Sequence, residues 1–356
     1  MQRLYNIVKI LPMKLMILTG LRQIEIVEKP VPELKRQDDV LVRMKSVGVC
    51  GSDIHYFLNG RIGSQVVKYP FTIGHEGAGI VEKTAPGVTT VKPGDSIVID
   101  PAMACHNCDQ CSAGRYHTCR NLRFLGCPGQ AEGCLSEYIV MPESSCYILP
   151  ENVTLDQGAL SEPLSIGLYA VRSAGDVTGK SIAILGAGPI GISVMLSAIA
   201  KGAGKIFITD KINDRLAIAR SMGAGWTGNV NETDIVKEIL REAPQQPDIV
   251  FECCGEQEAA DQALELLKPG GRLMIIGIPA FERWSFDVDN LRRKEITIQN
   301  VRRQNECVSE TLEMISDGRL KPDMMQTHNF TLGQTPEAFD LVARYSDGVM
   351  KAMIHL

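Results

Sequence analysis

From Met13 to about Pro150, apolar and polar positions alternate in short runs (VLVRMKSVGV, GAGIVEKT, SIVID, LSEYIVM) that end at Gly or Pro and show little helical period. This pattern predicts a β-rich unit whose first strand starts at about Met13, in LMILTG. After about Gly179 the pattern changes. Almost wholly apolar runs, SIAIL, KIFITD, DIVFECCG and RLMIIGI, alternate with predicted helices over 189–201, over 213–222 and up to 267. Strands apolar on both faces and separated by helices imply a parallel sheet covered on both sides, so the fold class is α/β with a doubly wound second unit. Beyond EITIQNV, predicted helices over 306–317 and 335–346 and a final strand KAMIHL either extend that second unit or return to the first.

The first apolar run of the second unit leads into Gly186-Ala187-Gly188-Pro189-Ile190-Gly191, at the start of a predicted helix. A G-x-G-x-x-G alone is weak, but in this context each glycine has a task. Gly186 makes the tight turn, Gly188 admits a pyrophosphate to the backbone, and Gly191 lets helix pack on strand, while the helix N-terminus beginning at Pro189 and Ile190 offers N–H groups. Asp210 ends the next strand, nineteen residues after Gly191. A carboxylate there accepts from the ribose hydroxyls and repels a 2′-phosphate, which favours NAD over NADP. Arg215 either stacks over the adenine or is a solvated helix cation.

The length, 356 residues, allows two domains. The net charge of −5, with no basic block, argues against nucleic acid and anionic membranes as partners. Lys9, Pro12 and Lys14 interrupt the apolar stretch from Leu4 to Leu18, so neither a signal peptide nor a membrane span is expected there, and residues 1–12 read as an N-terminal appendage or an upstream start. Eleven cysteines in so long a chain, four of them within fifteen residues, suggest metal in a reducing compartment, the cytoplasm, rather than a disulfide scaffold.

Those four, Cys105, Cys108, Cys111 and Cys119, can close a tetrahedral zinc site that leaves no position for substrate. An iron–sulfur cluster fits the spacing less well, because the third short gap and the proline after it are missing. An open zinc site needs about three protein ligands, and Cys50 in GVCGSDIHY, His75-Glu76 in GHEGAG and Glu162 in SEPLSIG are the candidates.

With GVCGSDIHY, GHEGAG, the four-cysteine loop, SEPLSIG, GAGPIG and ITD, the chain from Met13 to Leu356 resembles the zinc-containing medium-chain dehydrogenases, and within them the sorbitol (polyol) dehydrogenase branch. The resemblance implies a GroES-like catalytic domain over 1–162, a Rossmann domain over 163–300 and a return to the catalytic domain over 301–356. It also implies two zinc ions per subunit, NAD, and a catalytic zinc held by Cys50 and His75. Glu76 and Glu162 share the remaining protein positions, one of them binding and the other hydrogen-bonded to bound water. Asp53 is expected to accept the second N–H of His75, with a turn cap as its plainer role.

Zinc as Lewis acid lowers the pKa of a substrate hydroxyl, Ser52 takes the proton, and His55 is either the next relay or a surface histidine. Tyr56, Phe124 and Arg302 are expected around the substrate. Arg303 replaces the tyrosine of animal sorbitol dehydrogenases. Turned inward it would contact a phosphate or carboxylate, and turned outward, the expectation adopted, it is a surface or subunit-contact cation. The expected activity is NAD-linked oxidation of a polyol to a ketone by a homodimer or homotetramer. A threonine-type or sugar-alcohol-phosphate dehydrogenase of the same fold, or a non-catalytic dinucleotide-binding protein, are the alternatives.

Overall fold

The strand Asp39–Gly48 organises the first unit because it is buried along most of its length and pairs on both sides. Glu76–Thr84 runs antiparallel along one side; Tyr138–Pro142 and Lys351–His355 share the other. Ser96–Ile99 and Cys146–Ile148 extend the sheet in one direction and Gln326–Thr331 in the other. The registers Gly48↔Glu76 and Gly48↔Met353 therefore set Glu76 beside the C-terminal strand. The core beneath includes Val40, Val42, Met44, Val47, Ile73, Ile97 and Phe339. This computed structural model describes residues 12–356, so all but Pro12 of the expected appendage lies outside the described residues, and the first strand is Pro12–Gly20.

The second unit is a six-stranded parallel sheet in the order Trp226–Asn229, Ile206–Asp210, Ile182–Leu185, Ile249–Glu252, Arg272–Ile275, Thr297–Asn300. The chain leaves Ile182–Leu185 in one direction and later returns to its other side, so the crevice of a doubly wound sheet opens at the C-terminal end of that strand. The glycine turn sits there. Thr297–Asn300 is the sheet edge. The strands Gln326–Thr331 and Lys351–His355 rejoin the first sheet, while helix Val308–Ser316 packs on helix Leu155–Ser173. Among the described residues no helix is long and apolar enough to cross a membrane.

The alternation pattern did not anticipate two helices. Gly51–Asn59 is short, but Asp53 Oδ2 accepts from Cys50 N at 3.1 Å and Gly60 ends it with φ of 65°. Leu155–Ser173 contains Gly158, Pro163 and Gly167, residues that read as breakers. Here the glycines serve close packing, since a Cβ on Gly167 would collide with the Ser193 backbone of helix Pro189–Ala200. Thr154 Oγ1 accepts from Gln157 N (3.2 Å) and Gln157 Oε1 from Thr154 N (3.0 Å), a capping box legible as T-x-x-Q. This helix packs on both sheets' elements and runs through 162/163, the expected domain division.

Candidate functional site

The four loop cysteines converge. Sγ separations are 3.6 Å for Cys108–Cys111, 3.9 Å for Cys108–Cys119 and 3.4 Å for Cys119–Cys105, and all four sulfurs lie within 4.8 Å of one another. A tetrahedron with Zn–S bonds of about 2.3 Å has edges of about 3.8 Å, so the quartet has the dimensions of a closed zinc site. Backbone N–H groups of Arg120 and Cys111 pull the Cys108 thiol down to about 6, toward the thiolate a metal requires.

A second group is assembled from two elements joined by strand register. Cys50 caps helix Gly51–Asn59, and His75 directly precedes strand Glu76–Thr84, the partner of the strand leading to Cys50. Ligand atoms of Cys50, His75 and Glu76 fall within 4.8 Å of one another. Asp53, with no exposed surface, lies 3.5 Å from His75 Nδ1, which leaves Nε2 as the free ring nitrogen. Burial alone would lower the His75 pKa, but Asp53 and Cys50 reverse the effect and hold it well above the ordinary range. Asp53 thus both caps the helix and orients the histidine.

The two glutamates differ. Both oxygens of Glu76 accept from Lys351 Nζ, at 2.7 and 2.6 Å, with lysine and glutamate each 1 % exposed. Lys351 Nζ also donates to Val49 O at 3.3 Å. Glu162, brought in by helix Leu155–Ser173, is buried and its Oε2 has no partner; burial pushes its carboxyl up to about 7. Glu76, paired with Lys351, thus completes the Cys50–His75–Glu76 group, while Glu162 keeps a buried oxygen without a partner. The sequence reading missed Lys351, although a lysine flanked by Met350 and Ala352 in a buried strand is found only with a partner. Lys351→Met is expected to cost about 3–5 kcal/mol, because Glu76 would be left as an unpaired buried charge. Adding Glu76→Gln should restore much of the loss. Denaturant midpoints of the two variants measure this, and an unchanged midpoint in Lys351→Met would refute it.

Ser52 and His55 are one helical turn apart in Gly51–Asn59, both half-buried, and burial lowers the His55 pKa so that it is neutral at pH 7. Tyr56 Oη donates to Gln65 Oε1 (3.2 Å) and lies 3.9 Å from Cys127 Sγ. The Phe124 ring is 5.5 Å from that of His75, and the Arg303 guanidinium stands 3.4 Å from the Phe124 ring centroid. The outward orientation expected for Arg303 is thus corrected: Arg303 turns inward against Phe124, on a backbone with φ of 53°, whereas Arg302, expected beside the substrate, is exposed.

At the cofactor crevice Gly186 has φ of 107°, and a Cβ on Gly191 would strike Gly186 O. Gly188 caps helix Pro189–Ala200, in which Ile190 is the second residue. Asp210 Oδ2 accepts from Ala187 N (2.8 Å) and Oδ1 from Ile212 N (2.9 Å), which fixes the carboxylate beside the turn with lone pairs to spare. Arg215 is not the solvated cation considered above. It is 7 % exposed, donates to Val349 O at 3.0 and 2.7 Å, and lies over the Tyr345 ring at 5.3 Å.

Residues 36–151 match the alcohol dehydrogenase GroES-like domain and residues 189–317 the zinc-binding dehydrogenase domain. Sorbitol dehydrogenase of Bacillus subtilis is 33 % identical over 96 % of this chain and 97 % of its own length. L-idonate 5-dehydrogenase of Vitis vinifera is 34 % identical over 95 % and 93 %. A solved Escherichia coli oxidoreductase/dehydrogenase of unknown specificity superposes with a TM-score of 0.92 at 31 % identity, over 97 % of this chain and 99 % of that one. Placed beside a closed four-thiolate cluster, an open Cys50–His75–carboxylate group and a glycine turn at the switch point of a doubly wound sheet, these likenesses show that the chain belongs to the zinc-dependent medium-chain dehydrogenases, in their sorbitol (polyol) dehydrogenase branch.

Proposed function

We propose that this dehydrogenase oxidises a secondary alcohol of a polyol or sugar derivative, at the carbon next to a terminal hydroxymethyl group, to a ketone. The observation that carries this reading is the buried, unpartnered Oε2 of Glu162, close enough to His75 and Glu76 for their charges to act on it. A site lined with groups that need hydroxyl partners penalises substrates that leave them unpaired. Zinc bound by Cys50, His75 and a glutamate supplies Lewis acidity toward a hydroxyl, and NAD at the glycine turn supplies the hydride acceptor. Asp53 holds the His75 ring, Lys351 offsets the Glu76 charge, and Ser52 takes the proton released from substrate and passes it toward His55, a neutral imidazole able to receive it. Cys105, Cys108, Cys111 and Cys119 keep a second zinc that only braces the loop.

The edge strand Thr297–Asn300 supports pairing with a second copy, as a homodimer or homotetramer. Eleven free cysteines support a reducing compartment such as the cytoplasm.

The test is kcat/KM of zinc-replete enzyme for ethanol, 2-butanol, threonine, xylitol and sorbitol. Polyols are expected to lead, and simple alcohols outperforming every polyol would discard the reading. Cofactor choice is assigned to Asp210, so Asp210→Ser should lower kcat/KM with NAD by about tenfold or more and narrow the gap to NADP. A wild-type enzyme faster with NADP than with NAD would overturn that assignment.

A further inference from the structure

We propose that Arg303 is a specificity-determining residue that binds an oxyanion at the end of the substrate remote from the reacting carbon, so that the preferred substrate is a polyol bearing a carboxylate or phosphate. This rests on the alcohol-oxidising reading of the same site and narrows its substrate class.

Four observations lead to it. First, the guanidinium carbon stands 3.4 Å from the Phe124 ring centroid, and that ring is 5.5 Å from the His75 ring, so Phe124 links the cation to a zinc-ligand candidate. Second, Nη1 is buried without an acceptor, and among the described residues the guanidinium donates no hydrogen bond and forms no ion pair. Glu162 and Asp100 both lie close enough to act on it electrostatically, yet neither is in salt-bridge contact. A purely structural counter-ion would be paired with one of them. Buried donors left unmade are costly, and an arriving oxyanion that accepts from the guanidinium recovers that cost.

Third, Arg303 adopts φ of 53°, a conformation disfavoured for a long side chain, and its neighbours hold it there. Gln304 Nε2 donates to Asp100 Oδ2 at 2.8 Å, and Gln304 Oε1 accepts from Cys307 N at 2.9 Å. Asn305 Nδ2 donates to Gly114 O at 2.9 Å and Asn305 Oδ1 accepts from Tyr116 N at 3.1 Å. The backbone that presents the cation is thereby fixed, so binding has less loop ordering to supply. Fourth, its location separates it from the cofactor phosphates, which belong at the Gly186–Gly191 turn, where Arg215 is already committed to Val349 O. Burial and the neighbouring Arg302 draw the Arg303 pKa down only to about 10, so the group is a cation at neutral pH.

The experiment compares kcat/KM for sorbitol, L-gulonate, sorbitol 6-phosphate and 2-butanol in zinc-replete wild type, Arg303→Ala and Arg303→Lys. The first three share one configuration from the reacting carbon onward and differ in the group at the remote end. In the wild type an anionic member should exceed sorbitol; L-gulonate leading assigns a carboxylate, and sorbitol 6-phosphate leading assigns a phosphate. Arg303→Ala should lower the anion-to-sorbitol ratio by roughly ten- to a hundredfold, mainly through KM, and Arg303→Lys should recover part of it. Sorbitol leading in the wild type, or a ratio that Arg303→Ala leaves within about twofold, overturns the inference while the polyol reading stands. If 2-butanol outpaces every polyol, that reading and this inference fall together. Should Arg303→Ala not fold, the wild-type order and the lysine variant decide.

Discussion

Cys50→Ser is expected to lower kcat/KM by about three orders of magnitude or more and to reduce zinc from two ions per subunit to one, without unfolding the protein. The loss follows from chemistry. A thiolate is the anionic, soft donor of the open site, and a serine hydroxyl remains protonated and neutral in its place. The fold should survive because Cys50 contributes its backbone N–H to Asp53 Oδ2 at 3.1 Å, a bond serine retains, and serine is a good helix N-cap. NADH binding, remote from the substitution, should persist. Metal analysis and turnover on one sample check both halves, and retention of two zincs with full turnover refutes the ligand role.

Cys108→Ser should act on stability. The lobe over 105–119 contains one four-residue helix, Asp109–Ser112, and a single 3-10 turn, Tyr116–Thr118, too little structure to fold on an apolar core of its own. Metal binding supplies folding free energy in such lobes, about 10–16 kcal/mol in isolated zinc-finger peptides. With three thiolates the site is incomplete, and a loss of about 3 kcal/mol or more is expected in denaturant unfolding, together with one zinc. Because Gly114 and Tyr116 hold Asn305, the damage should reach the loop that presents Arg303 and raise KM as well. An unchanged midpoint with two zincs bound would show that the quartet is not a structural centre.

The parts of this molecule legible in the sequence are those whose chemistry is local. The thiolate quartet occupies fifteen residues, the glycine turn six, and the apolar strands of the doubly wound sheet carry their burial in composition alone. What the sequence hid depends on distance along the chain. Lys351 meets Glu76 only because two strands flank Gly48, and no local pattern encodes that register. The inward turn of Arg303 follows from clamps by Asp100, Gly114 and Tyr116, about 190 to 204 residues away in sequence. Helix Leu155–Ser173 is obscured by Gly158, Pro163 and Gly167, residue types that usually interrupt helices, whereas here the glycines are points of close approach.

The Lys351–Glu76 pair spans 275 residues, and this sets an order of events during synthesis. Glu76 and Asp39–Gly48 leave the ribosome long before their lysine and the strand that completes their sheet. Until then the Glu76 carboxylate lacks its counter-ion, and burying it unpaired is costly. The Rossmann sheet, whose strands are all made in between, has its strand partners before that point. Closure of the catalytic sheet around Glu76 is therefore expected only once Lys351–His355 is available. Released chains truncated after Val349 should accordingly bind NADH but fail to retain the catalytic zinc.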